Sequence, residues 1–367
     1  MMTSRVYESP SDLGTARAEW DELAVARERP FTAPAWALAW WANLRPDDAR
    51  LRLLFVREDD SLAGVVPLFS SGRSYRPAGG GLAPVEPLAR PGLERKVAEV
   101  AATALAELEA RPATIEIELH GSSPNWAELL ADAWPGGRPA WRWTQSETPV
   151  PRVDLGNGFE DWLQEKSSSF RREMKRKQRK LHDAGGSFRY ATEATLERDV
   201  NAFMRLHRHR LSGQGGSSLT NDGVERMLVA VGSDLLACGR FRLLCLELEG
   251  KPIAAQLLLA AGREVSAWNS GFDEAHAKLS PSMQCIVEAL SDASERGERT
   301  MSLGPGGQDY KYRLSNEEDS LNSNVLVPPG ATYPLARLSL TRKQLRHGLS
   351  QRLSPETKQR LRRLIRR

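Results

Sequence analysis

The spacing of apolar residues along the chain alternates between two periods, and each period predicts a different element. Apolar residues at intervals of three and four predict helices, and alternating or β-branched stretches predict strands. The predicted helices cover 12–28, 93–110, 125–133, 196–211, 224–239 and 281–297. The predicted strands cover 113–121, 187–194 and 300–304, a hairpin over 51–69, one or two strands over 140–155, and a three-stranded meander over 240–272. This order of elements predicts an α/β (α+β) protein.

A long basic helix is predicted to begin near Gly158 and to end at Gly185 and Gly186, since glycine favours a helix C-cap. Residues 170–181 hold seven basic residues and one acid. The basic residues fall on two adjacent stripes at i, i+4 spacing. The stripes are Arg172, Arg176 and Lys180, and Arg171, Lys175 and Arg179. This face is interpreted either as solvated or as a contact for a polyanionic substrate, lipid head groups or RNA.

A second basic segment closes the chain. Residues 341–367 hold ten basic residues and one acid, so the body of the chain is acidic although the net charge is +4. Leucines between the arginines fit an amphipathic helix on an anionic membrane surface, and a mobile tail is the equal alternative. Pro355 would divide a helix there. Short basic segments on an acidic body favour local polyanion contacts, and nucleic acid is not expected as a partner.

One sequence pattern occurs twice. RLLFVREDDSLAGVVPLF begins at Arg52, and RLLCLELEGKPIAAQLLLA begins at Arg242. Both combine a strand, an acidic or glycine-containing turn and a second apolar strand. Material of similar order follows each copy, which predicts two similar α/β halves.

The sequence lacks features that mark secreted, membrane-spanning and metal-binding proteins. Three scattered cysteines (Cys238, Cys245, Cys285) give no disulfide framework and indicate a reducing compartment. The histidines form no metal-binding pair, so no metal is expected. There is no P-loop and no G-x-G-x-x-G, no apolar run of about 18 residues, and no apolar core of a signal peptide at the N-terminus.

The most informative stretch is EVSAWNSGFDEAHAKLSPSMQCIVEALSDASERGERTMSLG, which predicts a strand, a loop, a helix opened by Ser280-Pro281-Ser282 and another strand. A serine-capped helix N-terminus favours anions. This layout resembles the acyl-CoA-binding half of the GNAT acyltransferases, and in particular the CelD-like (BioF-like acetyltransferase) group, relatives of the Fem peptidyltransferases. The matching segments are PFTAPAWALAWW, PRVDLGNGFEDWLQEKSSSFRREMKRKQRKLHDAGG, FMRLHRHRLSGQGGSS, RLLCLELEGKPIAAQLLLA, NSGFDEAHAKLSP and LGPGGQDYKYRL.

The resemblance implies tandem GNAT-like domains, each a mixed, mostly antiparallel sheet flanked by helices. It places an N-terminal half at 1–155 on the acceptor side without CoA, an acyl-CoA-binding half at 156–335, and a basic tail at 336–367. Acetyl-CoA or another acyl-CoA would lie where strand 264–272 splays from its neighbour. The implied cofactor-binding residues are Leu258, Lys278, Leu279, Ser280, Ser282, Met283 and Tyr310, and the candidate catalytic residues are Gln256, Asn269, Asp309, Lys311 and His207.

The implied activity is direct acyl transfer from the thioester to an amine or hydroxyl, in cell-envelope or exopolysaccharide metabolism. Two departures from the family pattern are Ser282, where glycine is usual, and Ser302, where an acid is frequent. The alternatives are a Fem-like transferase that uses aminoacyl-tRNA, although 182–240 leaves no room for that group's coiled-coil arm, and a non-catalytic scaffold of a polysaccharide complex. The expected partners are a small-molecule, saccharide or peptide acceptor and an anionic membrane for the tail. The chain is expected in the cytoplasm or at the inner membrane face, as a monomer or homodimer.

Overall fold

The computed structural model describes residues 1–212, 219, 221–330 and 332–341, and one continuous sheet runs through them. The strands of this described part are β1 (Met2–Tyr7), β2 (Ala49–Glu58), β3 (Ser61–Ser71), β4 (Ser74–Pro77), β5 (Leu88–Ala89), β6 (Thr114–His120), β7 (Trp141–Asp154), β8 (Ser187–Tyr190), β9 (Phe241–Leu248), β10 (Lys251–Ala261), β11 (Glu264–Phe272), β12 (Thr300–Ser302) and β13 (Glu317–Val327).

Helices cover both faces of the sheet. They are α1 (Ala16–Ala26), α2 (Pro34–Leu44), α3 (Glu94–Glu107), α4 (Trp126–Asp132), α5 (Phe159–Glu165), α6 (Ser168–Asp183), α7 (Leu196–Ser212), α8 (Asp222–Leu235), α9 (Pro281–Glu295) and α10 (Asp309–Leu314). A further helix covers 333–341.

The strand order across the sheet is β1-β2-β3-β4-β6-β13-β7-β12-β11-β10-β9-β8, with β5 paired to β3. Of the described strand pairs, β4–β6 and β11–β12 are parallel and the others are antiparallel. The predicted α/β class, with a mixed and mostly antiparallel sheet flanked by helices, is therefore confirmed.

The sequence repeat corresponds to a repeated hairpin. Arg52 pairs with Leu68 in the β2–β3 hairpin, and Arg242 pairs with Leu258 in the β9–β10 hairpin. Each hairpin is followed by a third strand, a helix and a strand parallel to that third strand, as β4–α3–β6 and as β11–α9–β12. Both arginines are buried. The two sides of the sheet thus share one order of elements.

The long strands β7 and β13 are exchanged between the two sides. β13 comes from the end of the described chain but pairs with β6, and β7 comes from the first part but pairs with β12. The two strands also pair with each other from Trp141 to Arg152. The division of the chain at residue 155 stays a prediction, and each side of the sheet includes one strand from beyond it.

Among the described residues, three apolar clusters separate the layers. One lies between α3, α4 and the β1–β6 side of the sheet, and another between α5, α6, α9 and the β7–β12 side. The third is common to both sides of the sheet. In it α1, α2, α7 and α8 pack against the strands, with Trp36 and Phe203 from the helices and Phe55 and Leu257 from the strands. This shared core fixes the two sides against each other.

The differences from the sequence-based prediction include one divided helix and four additional strands. The long helix predicted from Gly158 is two helices, because Lys166 is extended and Ser167 caps α6 by accepting from the Phe170 amide at 3.2 Å. Serine favours this cap over a helix interior. The additional strands are β1, β4, β5 and β13, none of which was predicted.

No helix among the described residues is both long enough and apolar enough to cross a bilayer. The predicted tail at 336–367 and its proposed membrane contact lie, beyond residue 341, outside the described residues.

Candidate functional site

β11 and β12 run side by side over only three residue pairs. Glu264–Ser266 pair with Thr300–Ser302, and β12 then ends while β11 continues to Phe272. A cavity of about 320 Å³ lies where the pairing stops. Its lining includes Ser266 and Ser302 from one face of the sheet and Ala267 and Leu303 from the other. Because successive side chains of a strand point to opposite faces, the cavity passes between the two strands.

A bulge shapes the β11 side of the cavity. The β10–β11 register shifts between Leu257 and Leu258, so that Trp268 has no opposite residue. The Trp268 indole N–H donates to the Leu82 carbonyl at 2.7 Å, which brings the loop at 81–84 over the cavity. A bulge of this kind leaves backbone groups of β11 outside the regular ladder.

The loop that precedes α9 leads into a helix N-terminus whose first backbone amides have no partner within the helix. Ser280 is the N-cap of α9 in the left-handed region (φ 52°), and its side chain makes no capping hydrogen bond. Ser280 therefore occupies the predicted N-cap position but does not cap α9 through its side chain, because a capping serine needs extended backbone. The first helical bond runs from the Gln284 amide to the Ser280 carbonyl at 3.2 Å. The amides of Ser282 and Met283 precede it, and the buried Ser282 hydroxyl has no hydrogen-bond partner.

The opposite wall of the cavity comes from β6. Its sequence alternates, with Ile115, Ile117 and Leu119 buried in the α3–α4 core. The intervening residues therefore face the other way, and Glu118 and His120 line the cavity. Burial raises the pKa of Glu118, and the neighbouring charge of Glu116 raises it further.

A buried carboxylate lies behind His120. Glu86 is 2% exposed and accepts hydrogen bonds from Arg29 and from the Ser123 hydroxyl at 2.8 Å. Its Oε1 lies 3.6 Å from His120 Nδ1. Burial opposes ionisation of Glu86, but attraction to His120 and to Arg29 outweighs it, so the pKa of Glu86 falls to about 2. Glu86 is thus an anion at neutral pH.

Several predicted site residues do meet at this cavity. Gln256, Asn269, Tyr310 and Lys311 are among its lining residues. The Gln256 amide nitrogen donates to the Asn269 carbonyl at 3.0 Å. Lys311 is 5% exposed, and its Nζ donates to the carbonyls of Gly304 at 2.8 Å and Pro305 at 2.9 Å. Lys311 therefore holds the turn after β12 at the cavity wall.

Other predicted catalytic residues lie apart from the cavity lining. His207 is 2% exposed on α7, where Nδ1 lies 3.0 Å from the Ser270 carbonyl and the ring stacks on Phe203. Asp309 is exposed at the start of α10. The structure gives His207 a packing position against β11 and does not bring Asp309 to the cavity.

The predicted cofactor-binding residues lie partly in the core and partly around the start of α9. Leu258 is 1% exposed in the α9-side core, so its side chain is not available to a cofactor. Lys278 is exposed, and Leu279, Ser280, Ser282 and Met283 are half-buried around the start of α9. The predicted loop is thus assembled at one place, outside the cavity lining, whereas Leu258 serves packing.

The basic face of α6 lies beside this loop. Phe170, Met174 and Leu181 turn toward the core. The Gln284 amide nitrogen of α9 donates to the carbonyls of Lys177 at 3.3 Å and Leu279 at 2.8 Å, which joins α6 to the loop. Of the stripe residues, Arg172, Lys175, Arg176, Arg179 and Lys180 are exposed, and Arg171 is half-buried.

Sequence reasoning missed Glu86, Glu118 and His120. The alternation of 114–120 predicted the strand, and the same alternation placed Glu118 and His120 on one face of it. That signal could have selected them. Nothing local marks Glu86, which lies in a loop between β4 and β5. Groups of three or more metal-ligating side chains are not found among the described residues.

One family model matches part of the chain. Residues 168–312 match the family model described as an acetyltransferase (GNAT) domain. No curated protein matches the chain in sequence.

Solved structures share the fold at low sequence identity. FemX aligns with a TM-score of 0.60 at 10% identity, over 83% of this chain and 95% of that chain. The C-terminal DUF2156 domain of a putative lysylphosphatidylglycerol synthetase from Agrobacterium fabrum aligns with a TM-score of 0.56 at 15% identity, over 89% and 96%. L-PGS from Bacillus licheniformis aligns with a TM-score of 0.53 at 12% identity, over 91% and 96%. Residues 168–312 therefore match the GNAT acetyltransferase family model, and the chain shares its fold with FemX and with the lysylphosphatidylglycerol synthetase domain.

Proposed function

We propose that the protein transfers an acyl group directly from acyl-CoA, with acetyl-CoA as the expected donor, to an amine or hydroxyl. The observation that carries this proposal is the cavity through the gap between β11 and β12. Ile286 of α9 lines the gap, and a pyrophosphate beyond it would find Lys278 and the backbone amides at the start of α9. The other end of the gap faces Glu118 and His120, where an acceptor would enter.

The chain offers three groups of residues for this reaction. The amides of Ser282 and Met283, the Ser282 hydroxyl and Lys278 would hold the pyrophosphate. The bulged backbone at Trp268 would donate to the oxyanion that develops on the thioester carbonyl. The walls at 81–84 and at β6 would orient the acceptor, so the enzyme would act by positioning and proton removal without a covalent intermediate. A CelD-like role in polysaccharide metabolism remains part of this proposal.

Calorimetric titration with acetyl-CoA tests the donor, with free CoA for comparison. We expect micromolar binding that Lys278→Glu weakens about tenfold, because a charge-assisted contact contributes about 1.5 kcal/mol. Lys251→Glu, an exposed lysine at the far end of β10, is the matched control and should bind as the wild type does.

A second variant tests the gap itself. Ala267→Leu adds bulk between the strands and should reduce acetyl-CoA binding while the melting temperature reports that the protein is folded. Absence of heat with acetyl-CoA and with longer acyl-CoAs in the wild type would contradict the proposal.

The basic face of α6 favours a second candidate, transfer of an aminoacyl group from tRNA. Exposed arginines and lysines continue from the α9 loop along α6, and FemX shares the fold. The triple variant Arg172→Glu, Arg176→Glu and Lys180→Glu should abolish binding of aminoacyl-tRNA while acetyl-CoA binding is retained. Binding that falls steeply with salt in the wild type would support this candidate. Aminoacyl-tRNA binding that is equal in the wild type and the variant would contradict it.

A further inference from the structure

We infer that His120, held in place by the buried carboxylate of Glu86, removes the proton from the attacking acceptor. This inference rests on the acyl transfer proposed above and assigns a residue on the β6 wall to the chemistry. Glu86 acts through His120 and is a positioning residue.

The first support is the way in which Glu86 is fixed. Arg29 and the Ser123 hydroxyl both donate to Oε1, and the backbone amide of His120 lies 3.3 Å from Oε2. The amide of Glu86 donates to the Thr32 hydroxyl at 3.2 Å. A carboxylate 2% exposed with these donors has a defined position and a defined charge.

The second support is the orientation of His120. Nδ1 is buried without a hydrogen-bond partner, and the nearest carboxylate oxygen is Glu86 Oε1 at 3.6 Å. Hydrogen bonds of catalytic groups are frequently long in the absence of substrate. With Nδ1 toward Glu86, Nε2 is the nitrogen on the opposite edge of the ring, and His120 lines the cavity. This is the arrangement of a base whose second nitrogen is oriented by an anion.

The third support is the place of His120 relative to the gap. Pairing of β6 with β13 sets His120 opposite Leu321, and Leu321 also lines the cavity. The far wall holds Ser266 and Ser302, where the strands part. An acceptor between the two walls would have the acyl carbonyl on one side and the imidazole on the other.

Acidic side chains from a loop and two strands face His120. The titratable groups that face it are Glu86 from the 78–87 loop, Glu118 on β6 and Asp319 on β13, with Arg29 beyond Glu86. Burial opposes the charge of Asp319, but a hydrogen bond from Ser122 outweighs it and lowers its pKa. Glu86 and Asp319 are therefore anions near the ring, Glu86 paired with Arg29 and Asp319 with Arg152.

A lone pair on the acceptor nitrogen or oxygen forms a bond to the acyl carbonyl carbon, and the acceptor's proton passes to His120 Nε2. The carbon–sulfur bond breaks, and the thiolate of CoA leaves with its electron pair. The imidazolium returns the proton to the thiolate, so the products are the amide or ester and free CoA, and His120 is neutral again.

The test measures thiol release from acetyl-CoA by the full-length protein, with glucosamine and small primary amines as acceptors and with water as the reference acceptor. His120→Gln should lower kcat at least 100-fold, leave acetyl-CoA binding within threefold, and abolish the fall in rate at acid pH that protonation of the base causes. Glu86→Gln should lower kcat about tenfold or more, and Glu86→Asp should recover part of it. His209→Gln, an exposed histidine on α7, is the matched control.

Each outcome separates this inference from the proposed function. No binding of acetyl-CoA by the wild type would overturn both. Wild-type binding and thiol release, with His120→Gln within threefold of the wild type, would overturn this inference alone. Loss of the acid limb in Glu118→Gln with its retention in His120→Gln would also overturn it, because the base would then be Glu118.

Discussion

The Trp268 indole N–H donates to the Leu82 carbonyl at 2.7 Å, across 186 positions of sequence. Trp268 is the bulged residue of β11, and Leu82 belongs to the loop after β4. The same ring packs edge-on against Trp36 with the centroids 5.4 Å apart. One side chain thus joins the strand that borders the gap to the loop that covers the cavity.

Trp268→Phe should remove this tie while keeping most of the aromatic packing. We expect a loss of about 1 kcal/mol in the free energy of unfolding, which is the typical net value of one hydrogen bond. Faster amide exchange at 79–85 should accompany it, measured by hydrogen–deuterium exchange. Trp41→Phe is the control, because the Trp41 ring contacts Arg45 at the end of α2. This variant should leave exchange at 79–85 unchanged.

Glu86→Gln should destabilise the protein in a pH-dependent way. The folded pKa of Glu86 is about 2 against an ordinary 4.5, so its contribution of about 3 kcal/mol is complete above pH 4.5 and is lost as the pH falls toward 2. The difference in unfolding free energy between wild type and variant, from urea titrations, should shrink over that window. Glu19→Gln removes a half-exposed partner of Arg57 and should cost at most about 1 kcal/mol. A pH-independent difference for Glu86→Gln would contradict the assignment.

Glu118→Gln should show the opposite dependence. Burial raises the pKa of Glu118, so the folded state favours the neutral carboxyl, and stability falls as the pH rises through its titration. The variant, which carries no such group, should gain stability relative to the wild type as the pH rises from 4 to 8. Glu116→Gln removes the second cause of the shift and should reduce the effect. Equal pH slopes for wild type and Glu118→Gln would show that Glu118 is not perturbed.

Gly271→Ala should separate α7 from β11. A Cβ at Gly271 would lie 2.4 Å from the backbone nitrogen of His207, which cannot move without the helix. We expect a loss of 1–3 kcal/mol, about the usual cost of overpacking, seen as a lower melting temperature. An unchanged melting temperature would mean that α7 can shift outward at little cost.

The sequence was most informative where a pattern is local. The hairpin that begins at Arg242 and the loop at Lys278 to Met283 were both predictable, because period-two alternation and turn residues are encoded in neighbouring positions. The roles of Leu258 and Lys311 were not, because they depend on what packs against them. Leu258 lies in a strand that is largely apolar on both faces, so the sequence does not show what its side chain packs against. Lys311 contacts the carbonyl of a turn several residues earlier in the chain.

β13 was missed for a related reason. Its sequence EEDSLNSNVLV is polar over its first half, and polar residues are not expected in a central strand. It is held there by pairing with β7 and β6 on its two sides, and Ser122 donates to its Asp319 at 2.6 Å. These contacts come from residues more than a hundred positions away, which no local pattern contains.

The exchange of β7 and β13 has a consequence for how the protein is made. As the chain is synthesised, β6 has an unpaired edge until residues 317–327 have left the ribosome, although every other strand on its side of the sheet is complete by then. The β1–β6 side of the sheet therefore keeps an unpaired edge, open to incorrect strand pairing, until nearly the whole chain has been translated. A truncation that ends before β13 would leave that edge exposed permanently, so premature termination would yield an aggregation-prone product and not a smaller functional protein.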